Sequence, residues 1–571
     1  MLAEKLSGAA DATAATYVDD VFSTWLYTGN SSTQTITNGI NLSAYGGLVW
    51  GKSRSGAYNH ELVDTARGAG NALRSNQTAA STTSCNVNSF TTTGFTLDSA
   101  GGGEINANTV TEVAWTFRKA PKFFDVQTVS HTNGAANNID LSVLGTVGTV
   151  IAKNTTSAQD WCVWHRSLTA GNNLVLNTTA AQSTTNAYLS VSGTTATLSS
   201  SAPTGTYVIY AWAHDTSSTG LIQCGLTSGG ASTEITLGWE PQYLLYRSAT
   251  FTDDWHVIDN MRGAAVGTPT YNTWSNLNIN TSASETSVTG SGGNPNIKFT
   301  ATGFVLGAIA GNAIYVAIRR PNKPPTSGTS VFQPSTTTTN TQTITTGWPA
   351  DMSVYRYMRN NNSSCHWSSR LQGNDQYIDS GSPAGETSYP TSLSWNVSST
   401  GYDSTYAQSA YDPIIFWSFR RAPGFFDAVC YTGTGSATTQ AHNLGVAPEL
   451  MIVKERSAAN NWWVYDSTDG NTKYSVLNST ATPVTLSTAW NNTTPTASVF
   501  SIGTGANVNA SSQTYVAYLF ATLAGISKVG SYTGNGTSQT IDCGFAAGAR
   551  FILIKRTDST GDWYVWDSAR G

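Results

Sequence analysis

Four acidic residues recur at one place in a repeating pattern. Asp64, Asp259, Asp466 and Asp567 each close a short apolar run, as in Trp563-Tyr564-Val565-Trp566-Asp567. A carboxylate held at a fixed point is the kind of group that serves as a general acid or base, or as a metal ligand. Two observations turn the reading toward structure. The same place holds His165 in one copy and Ser369 in another, and a reaction needs its acid once rather than four times. The position is therefore expected to be a strand end. The pairs Arg67-Gly68, Arg262-Gly263 and Arg570-Gly571 that follow it read as turns carrying a hydrogen-bonding arginine.

Other candidates for chemistry are weaker. The seven histidines (60, 131, 165, 214, 256, 366 and 442) include no HExxH or comparable metal spacing. Gly51-Lys52-Ser53-Arg54-Ser55-Gly56 resembles a nucleophile elbow in composition but is not GxSxG. Asp253-Asp254, Asp558 and Asp562 fall in hairpin turns; a shallow calcium site is the alternative there to plain turn chemistry, which Asp favours. The six cysteines are scattered without a CxxC pair, which suits buried free thiols in a reducing compartment better than zinc or a disulfide framework. A glycan hydrolase would need two carboxylates about 5–10 Å apart, and no pair stands out. No catalytic residue, cofactor or metal ligand is assigned, and the chain is read as a protein that is not an enzyme.

The aromatic residues divide in two. Trp161, Trp255, Trp462 and Trp563 recur four residues before the acid position, and a repeated large residue is expected in the sandwich core. Trp164, Trp463 and Trp566 are expected to face solvent, where an amphipathic ring can stack on a sugar.

Composition supports an uncharged surface. The 571 residues include 29 Lys and Arg and 34 Asp and Glu, only 11% charged, against about 25% in an ordinary globular chain. With 39% hydrophobic residues, including 18 Trp, 25 Tyr and 18 Phe, there is enough apolar mass for several cores. A net charge of −5 offers no basic stripe, which argues against nucleic-acid binding. No apolar run reaches the 18 or so residues of a membrane helix, so membrane insertion is not expected. Glu4 sits where a signal peptide would be apolar, so no cleaved secretion signal is expected either.

These residues sit in a tandem repeat. Val150-Ile151-Ala152-Lys153 before Trp161-Cys162-Val163-Trp164-His165 returns as Leu450-Met451-Ile452-Val453-Lys454 before Trp462-Trp463-Val464-Tyr465-Asp466, and again near the end. The acid-equivalent positions are 101, 94, 110, 97 and 101 residues apart. Arg118-Lys119-Ala120-Pro121-Lys122-Phe123-Phe124-Asp125 returns 302 residues later as Arg420-Arg421-Ala422-Pro423-Gly424-Phe425-Phe426-Asp427, which implies an ancestral three-repeat block that was duplicated. The boundaries follow as an N-terminal docking segment (1–20), repeats at 21–122, 123–215 and 216–320, a Pro-rich semi-rigid linker (321–328), repeats at 329–424 and 425–525, and a partial sixth at 526–571. Runs of four to seven residues rich in Val, Ile, Tyr and Trp between polar turns are strand chemistry; only residues 2–16 carry helical signal. The expected fold is all-β: a tandem array of about six jelly-roll-like β-sandwich repeats of about 100 residues, strung one after another, the last incomplete.

The opening Asp19-Asp20-Val21-Phe22-Ser23-Thr24-Trp25-Leu26-Tyr27, with His442-Asn443-Leu444-Gly445-Val446-Ala447-Pro448 and the Arg-Ala-Pro-x-Phe-Phe-Asp elements, resembles repetitive tail-fibre or virion-structural proteins of marine and cyanobacterial phages. The resemblance covers nearly the whole chain from residue 17 on, and the fourth and sixth repeats depart most from the pattern. It implies concanavalin-like sandwich modules on a virion assembled in the host cytoplasm, and it carries over no catalytic residue. The implied function is a tail-fibre or tail-appendage component facing the host surface. Capsid decoration and a non-phage carbohydrate-binding adhesin are the alternatives. Expected partners are other virion proteins, a host surface glycan, and further copies of the chain covering exposed edge strands, three in number by analogy with fibres.

Overall fold

The computed structural model describes residues 15–185, 187–228, 234–263, 273–289, 297–307, 309–338, 342–359, 364–388, 393–404 and 413–571. The first unit sets the template with seven strands: β1 (Phe22–Thr28), β2 (Gln34–Thr37), β3 (Gly47–Ser53), β4 (Glu61–Asp64), β5 (Val87–Thr91), β6 (Gly94–Leu97) and β7 (Thr111–Arg118). They form two antiparallel sheets, a larger one in the order β1-β7-β3-β4 and a smaller one in the order β2-β6-β5. Alternation along β3 and β4 sends Val49 and Val63 inward, where they meet Val87, Phe95 and Leu97 of the small sheet. Leu48, Trp50 and Leu62 point to the opposite face of the large sheet, and they too are buried. The sheet is apolar on both faces here, which is why Leu48-Val49-Trp50 of β3 shows no apolar–polar alternation.

The same strand order recurs. In the second unit the large sheet runs Phe124–His131, Gly205–Ala213, Val147–Asn154, Cys162–His165, and in the third Ile222–Thr227, Ala313–Arg319, Pro241–Ser248, His256–Asp259. The fourth and fifth units repeat it with Phe332–Thr337 and Phe426–Thr432 in the β1 place. Residues 526–571 supply one hairpin, Phe551–Lys555 paired with Trp563–Asp567. The chain is all-β, a tandem array of sandwiches.

The units are not strung in a line. Their outer apolar faces must be covered, and they cover one another. In the first block, outer-face residues of three units merge into one core, with Phe117 against Phe124 at 5.6 Å and Trp212 at 5.6 Å, and Tyr243 against Trp115 at 6.1 Å and Phe22 at 5.3 Å. At its centre is a cavity of about 20 Å³ lined by Trp50, Ile151 and Leu245. These residues hold the same β3 position in three successive units, as an approximate threefold axis requires. A second block joins the fourth and fifth units through Val354, Trp417, Ile452 and Tyr518, with Phe551, Trp563 and Val565 of the last hairpin packed against them.

The two blocks also touch. Arg421 forks onto Glu240 at 2.8 and 3.0 Å, and Arg320 pairs with Asp427 at 2.9 Å. The Pro-rich segment 321–328 is pinned rather than free. Asp19, in the helical turn Val18–Val21, accepts hydrogen bonds from the backbone N–H of Asn322 and Lys323, each at 2.9 Å, and pairs with Arg420. Residues 1–14 of the expected docking segment, and most of the expected helix over 2–16, lie outside the described residues.

Three equivalent glycines are fixed by pairing within the small sheets. A Cβ at Gly94 would lie 1.9 Å from the carbonyl oxygen of Ile36 across the small sheet, and the same holds at Gly303 against Ile235 and Gly401 against Ile344. Gly94→Ala is expected to destabilise the first unit by at least about 2 kcal/mol, read as a fall in its urea midpoint.

Candidate functional site

The repeated acid is the natural place to look for chemistry, and its surroundings are nearly identical in three copies. The Asp64 carboxylate accepts from the Arg67 backbone N–H at 2.9 Å and from Arg67 Nε at 2.6 Å, while Arg67 Nη2 donates to the Leu62 carbonyl at 2.8 Å. Asp259 with Arg262 repeats this at 2.9, 2.6 and 2.8 Å, and Asp567 with Arg570 at 3.1, 2.5 and 3.0 Å. Each acid therefore closes the turn that follows its strand. Burial disfavours the Arg262 charge, but the neighbouring Asp259 and Glu285 outweigh that and hold its proton above the ordinary guanidinium value.

Each of these acids takes one more bond, from a different unit. Tyr210 O–H of the second unit donates to Asp64 at 2.8 Å, Trp115 Nε1 of the first to Asp259 at 3.1 Å, and Trp417 Nε1 of the fourth to Asp567 at 3.1 Å. The three donors occupy one position of the β7 strand. In the third unit that position is Val316, which has no donor, and the acid it would face is His165. A carboxylate there would be a buried anion without its second partner. His165 instead has its pKa pushed down to about 3, chiefly by burial. The Ser167 N–H donates to its Nδ1 at 3.2 Å, so Nε2 carries the proton and donates to the Tyr315 carbonyl at 3.1 Å. In the fourth unit Ser369 and Tyr518 of the fifth both donate to Gln372, which stands where the others have arginine. Asp466 stands apart, accepting only from Thr468 of its own turn. Tyr210→Phe removes one of these donors to a charged group and is expected to weaken the contact between the first two units by about 1.5–3 kcal/mol, measured by hydrogen exchange in Gly205–Ala213.

The recurring tryptophans make a second set of bonds between units. Trp161 Nε1 donates to the Gln77 carbonyl at 2.9 Å, Trp255 Nε1 to Val175 at 3.0 Å, Trp462 Nε1 to Asp379 at 3.1 Å and Trp563 Nε1 to Val476 at 3.1 Å. In the first unit the position is His60, 3.2 Å from the Asn278 carbonyl of the third, which closes the circle. Basic β3 residues reach the same neighbours: Lys153 to Thr78 at 2.6 Å, Arg247 to Thr178 at 3.1 Å, Lys555 to Thr480 at 2.9 Å. Trp161, Trp255, Trp462 and Trp563 thus lie in the core between units rather than in a sandwich's own core. The outer face of β4 is where they point, and that face is covered by a neighbour.

The three tryptophans expected at the surface have different fates. Trp463 is buried inside the fifth sandwich, stacked on Tyr474 at 4.1 Å, because its strand face is the one the small sheet covers. Trp164 is half-buried on the inner face of the second sandwich, at the position that Val63 holds in the first. Trp566 is 48% exposed and stacked on Tyr564 at 5.7 Å.

Sequence reading missed two buried carboxyls inside the first sandwich. Glu61 accepts from the Asn86 N–H at 2.8 Å, while among the described residues its Oε2 has no partner and Glu112 makes no well-formed hydrogen bond beyond the nearby Ala107 backbone. Burial raises both, Glu61 to about 7 and Glu112 to about 9, and it lowers neighbouring Lys52 to about 8. Such proton-holding acids are the raw material of hydrolysis, but neither side chain has any solvent exposure. Their one signal was an acidic residue inside an otherwise apolar strand, as in Glu112-Val113-Ala114-Trp115. Of the acids weighed for calcium, Asp253 accepts from the Ser248 and Asp254 N–H groups, Asp254 from the side-chain amides of Asn278 and Asn280, and Asp558 pairs with Arg556. Among the described residues no three His, Cys, Asp or Glu side chains converge as a metal ion would require. None of the six cysteines is in a disulfide; Cys85, Cys162 and Cys224 are buried and the others are partly exposed.

A family model described as a domain of unknown function (DUF7483) matches residues 18–314 and 329–571. The chain belongs to the DUF7483 family. The first match spans most of the three sandwiches of the first block, and the second spans the fourth and fifth units with the final hairpin. No curated protein matches the chain.

Proposed function

We propose that this DUF7483 protein is a structural component of a phage particle, a tail-fibre or tail-appendage protein that presents its sandwiches toward the host surface. The observation that carries the reading is where the repeated polar residues go. Asp64, Asp259 and Asp567, with their partner aromatics, join one sandwich to the next. A signature devoted to holding units together suits a scaffold. The surface of Ser, Thr and Asn suits contact with neutral partners, and the likeness of the opening and of the Arg-Ala-Pro-x-Phe-Phe-Asp elements to phage virion proteins supplies the particle. Other virion proteins and further copies of the chain are the proposed partners.

The compact blocks favour a second reading, a knob that decorates the capsid. Labelling the exposed loop at 557–562 on purified particles separates the two. Label at the tail or its fibres supports the first reading, and label spread over the head supports the second. Absence of the chain from purified particles by mass spectrometry sinks both.

A further inference from the structure

A cleft of about 420 Å³ opens where the first unit meets the fourth. One wall is the edge of the first sandwich, where β1 and β2 are the outermost strands of their sheets. The other wall is Gly347, Ser398 and Thr400 of the fourth unit. The cleft therefore exists only while the two blocks are packed together. Its size falls in the range of small-molecule sites, about 300–1,000 Å³.

Its lining is specific in chemistry. Trp25 stands at the open edge with its ring half-buried against the core of the first sandwich. Among the described residues the Trp25 indole N–H has no partner. The corresponding β1 residues elsewhere are Gln127, Gly225, Ser335 and Val429, read from their pairing to the β7 strand. The aromatic ring is thus a feature of this cleft and not of the repeat. Gln34 is held by its Nε2, which donates to Asn106 Oδ1 at 2.6 Å, while Asn106 is itself buried and donates to the Ser32 and Asp98 carbonyls. That anchoring leaves Gln34 Oε1 as a fixed acceptor. Across the cleft the hydroxyls of Ser398 and Thr400 lie 3.0 Å apart. Among the described residues no charged side chain lines the cleft.

We propose that this cleft binds a neutral saccharide of about one or two rings. An indole face accepts the C–H side of a sugar while its edge donates, and hydroxyl and amide groups both donate and accept, as a polyol requires. The absence of charge excludes phosphates, carboxylates and amines as the principal ligand. A peptide strand added along β1 is excluded by the fourth unit, since the Leu26 N–H already donates to Ser399 Oγ at 2.8 Å and the Leu26 carbonyl accepts from Ser399 N–H at 3.3 Å. Binding here does not depend on which part of a particle carries the chain, so its failure would leave the virion reading standing.

The test is saturation-transfer NMR on the full chain with glucose, galactose, mannose, maltose and lactose, and glucuronate as the charged control. At least one neutral sugar is expected to bind, with affinity reduced at least about tenfold by Trp25→Ala and partly restored by Trp25→Phe. Trp566→Ala should leave it within about twofold, and glucuronate should bind more weakly than glucose. If Trp25→Ala does not fold, Gln34→Leu and Thr400→Val decide instead, each expected to cost about fivefold. Binding by none of these sugars, or binding untouched by the cleft variants, overturns the proposal.

Discussion

Replacing Asp259 with alanine is expected to lower the free energy of opening between the first and third units by about 3–5 kcal/mol, the cost of breaking one side of a buried ion pair. Arg262 and Asp259 are both essentially without exposure, 2.6 Å apart, and the Arg262 guanidinium lies 5.4 Å from the centre of the Trp115 ring. Removing the carboxylate leaves Arg262 with Glu285, at 3.1 Å, as its one remaining counter-ion among the described residues, and takes away the acceptor of the buried Trp115 N–H. The same substitution at the same repeat position in the fifth unit, Asp466→Ala, removes only bonds to Thr468 in a solvent-facing turn. Its expected cost is below about 1 kcal/mol. Hydrogen exchange of Thr111–Arg118 and of Trp463–Asp466 reads the two effects separately. Equal costs at the two sites would mean that the acid serves its own turn and not the contact between units.

A second large effect concerns pH. Glu112 keeps its proton in the folded chain up to about pH 9, because burial penalises its charge more than nearby Lys52 and Arg54 favour it. In the unfolded chain the same group ionises near pH 4.5. Between those values the folded state binds more protons than the unfolded one, so stability falls as pH rises, by up to about 1.4 kcal/mol per pH unit for one full proton. Glu61, raised to about 7, adds the same sign over the lower part of the window. Lys52, lowered to about 8, is charged in both states below that pH and contributes only above it, with the opposite sign. Histidines held neutral in the fold, such as His165 and His214, take up protons only in the unfolded chain below about pH 6.5 and act with the opposite sign there. They are common to both chains, so the difference between the native chain and Glu112→Gln isolates Glu112 from pH 5 to 8. Glu112→Gln is expected to flatten the stability profile there by about one proton and to make the chain the more stable of the two at pH 8. Urea titrations at pH 5, 6, 7 and 8 measure it, and parallel profiles for the two chains would contradict it.

Much of the fold was legible because it is local. The Val-Ile-Tyr-Trp runs, the constant loop before each repeat tryptophan and the spacing near one hundred residues specify strands, hairpins and tandem units. What alternation cannot say is what covers a second apolar face. Leu48, Trp50 and Leu62 demand burial as strongly as Val49 and Val63, yet only the folded chain shows that neighbouring sandwiches provide it. The recurring tryptophans therefore lie between sandwiches rather than inside one, and Trp463 lies under the small sheet rather than in solvent. One trace of the threefold arrangement did stand in the sequence. The copy that has His165 in place of aspartate is matched by another copy that has Val316 in place of Trp or Tyr, two exceptions that make sense only if those positions meet across units. The cleft beside Trp25 left no such trace, because its walls come from residues more than 300 apart in the chain.

The claim on which the rest depends is that the repeat signature folds the chain into closed three-unit blocks. Small-angle X-ray scattering of the full chain in solution tests it most directly. Two packed blocks predict a radius of gyration of about 25–30 Å, close to that of a compact chain of this length. Six sandwiches strung end to end would give roughly twice that value, and such a result would contradict the account.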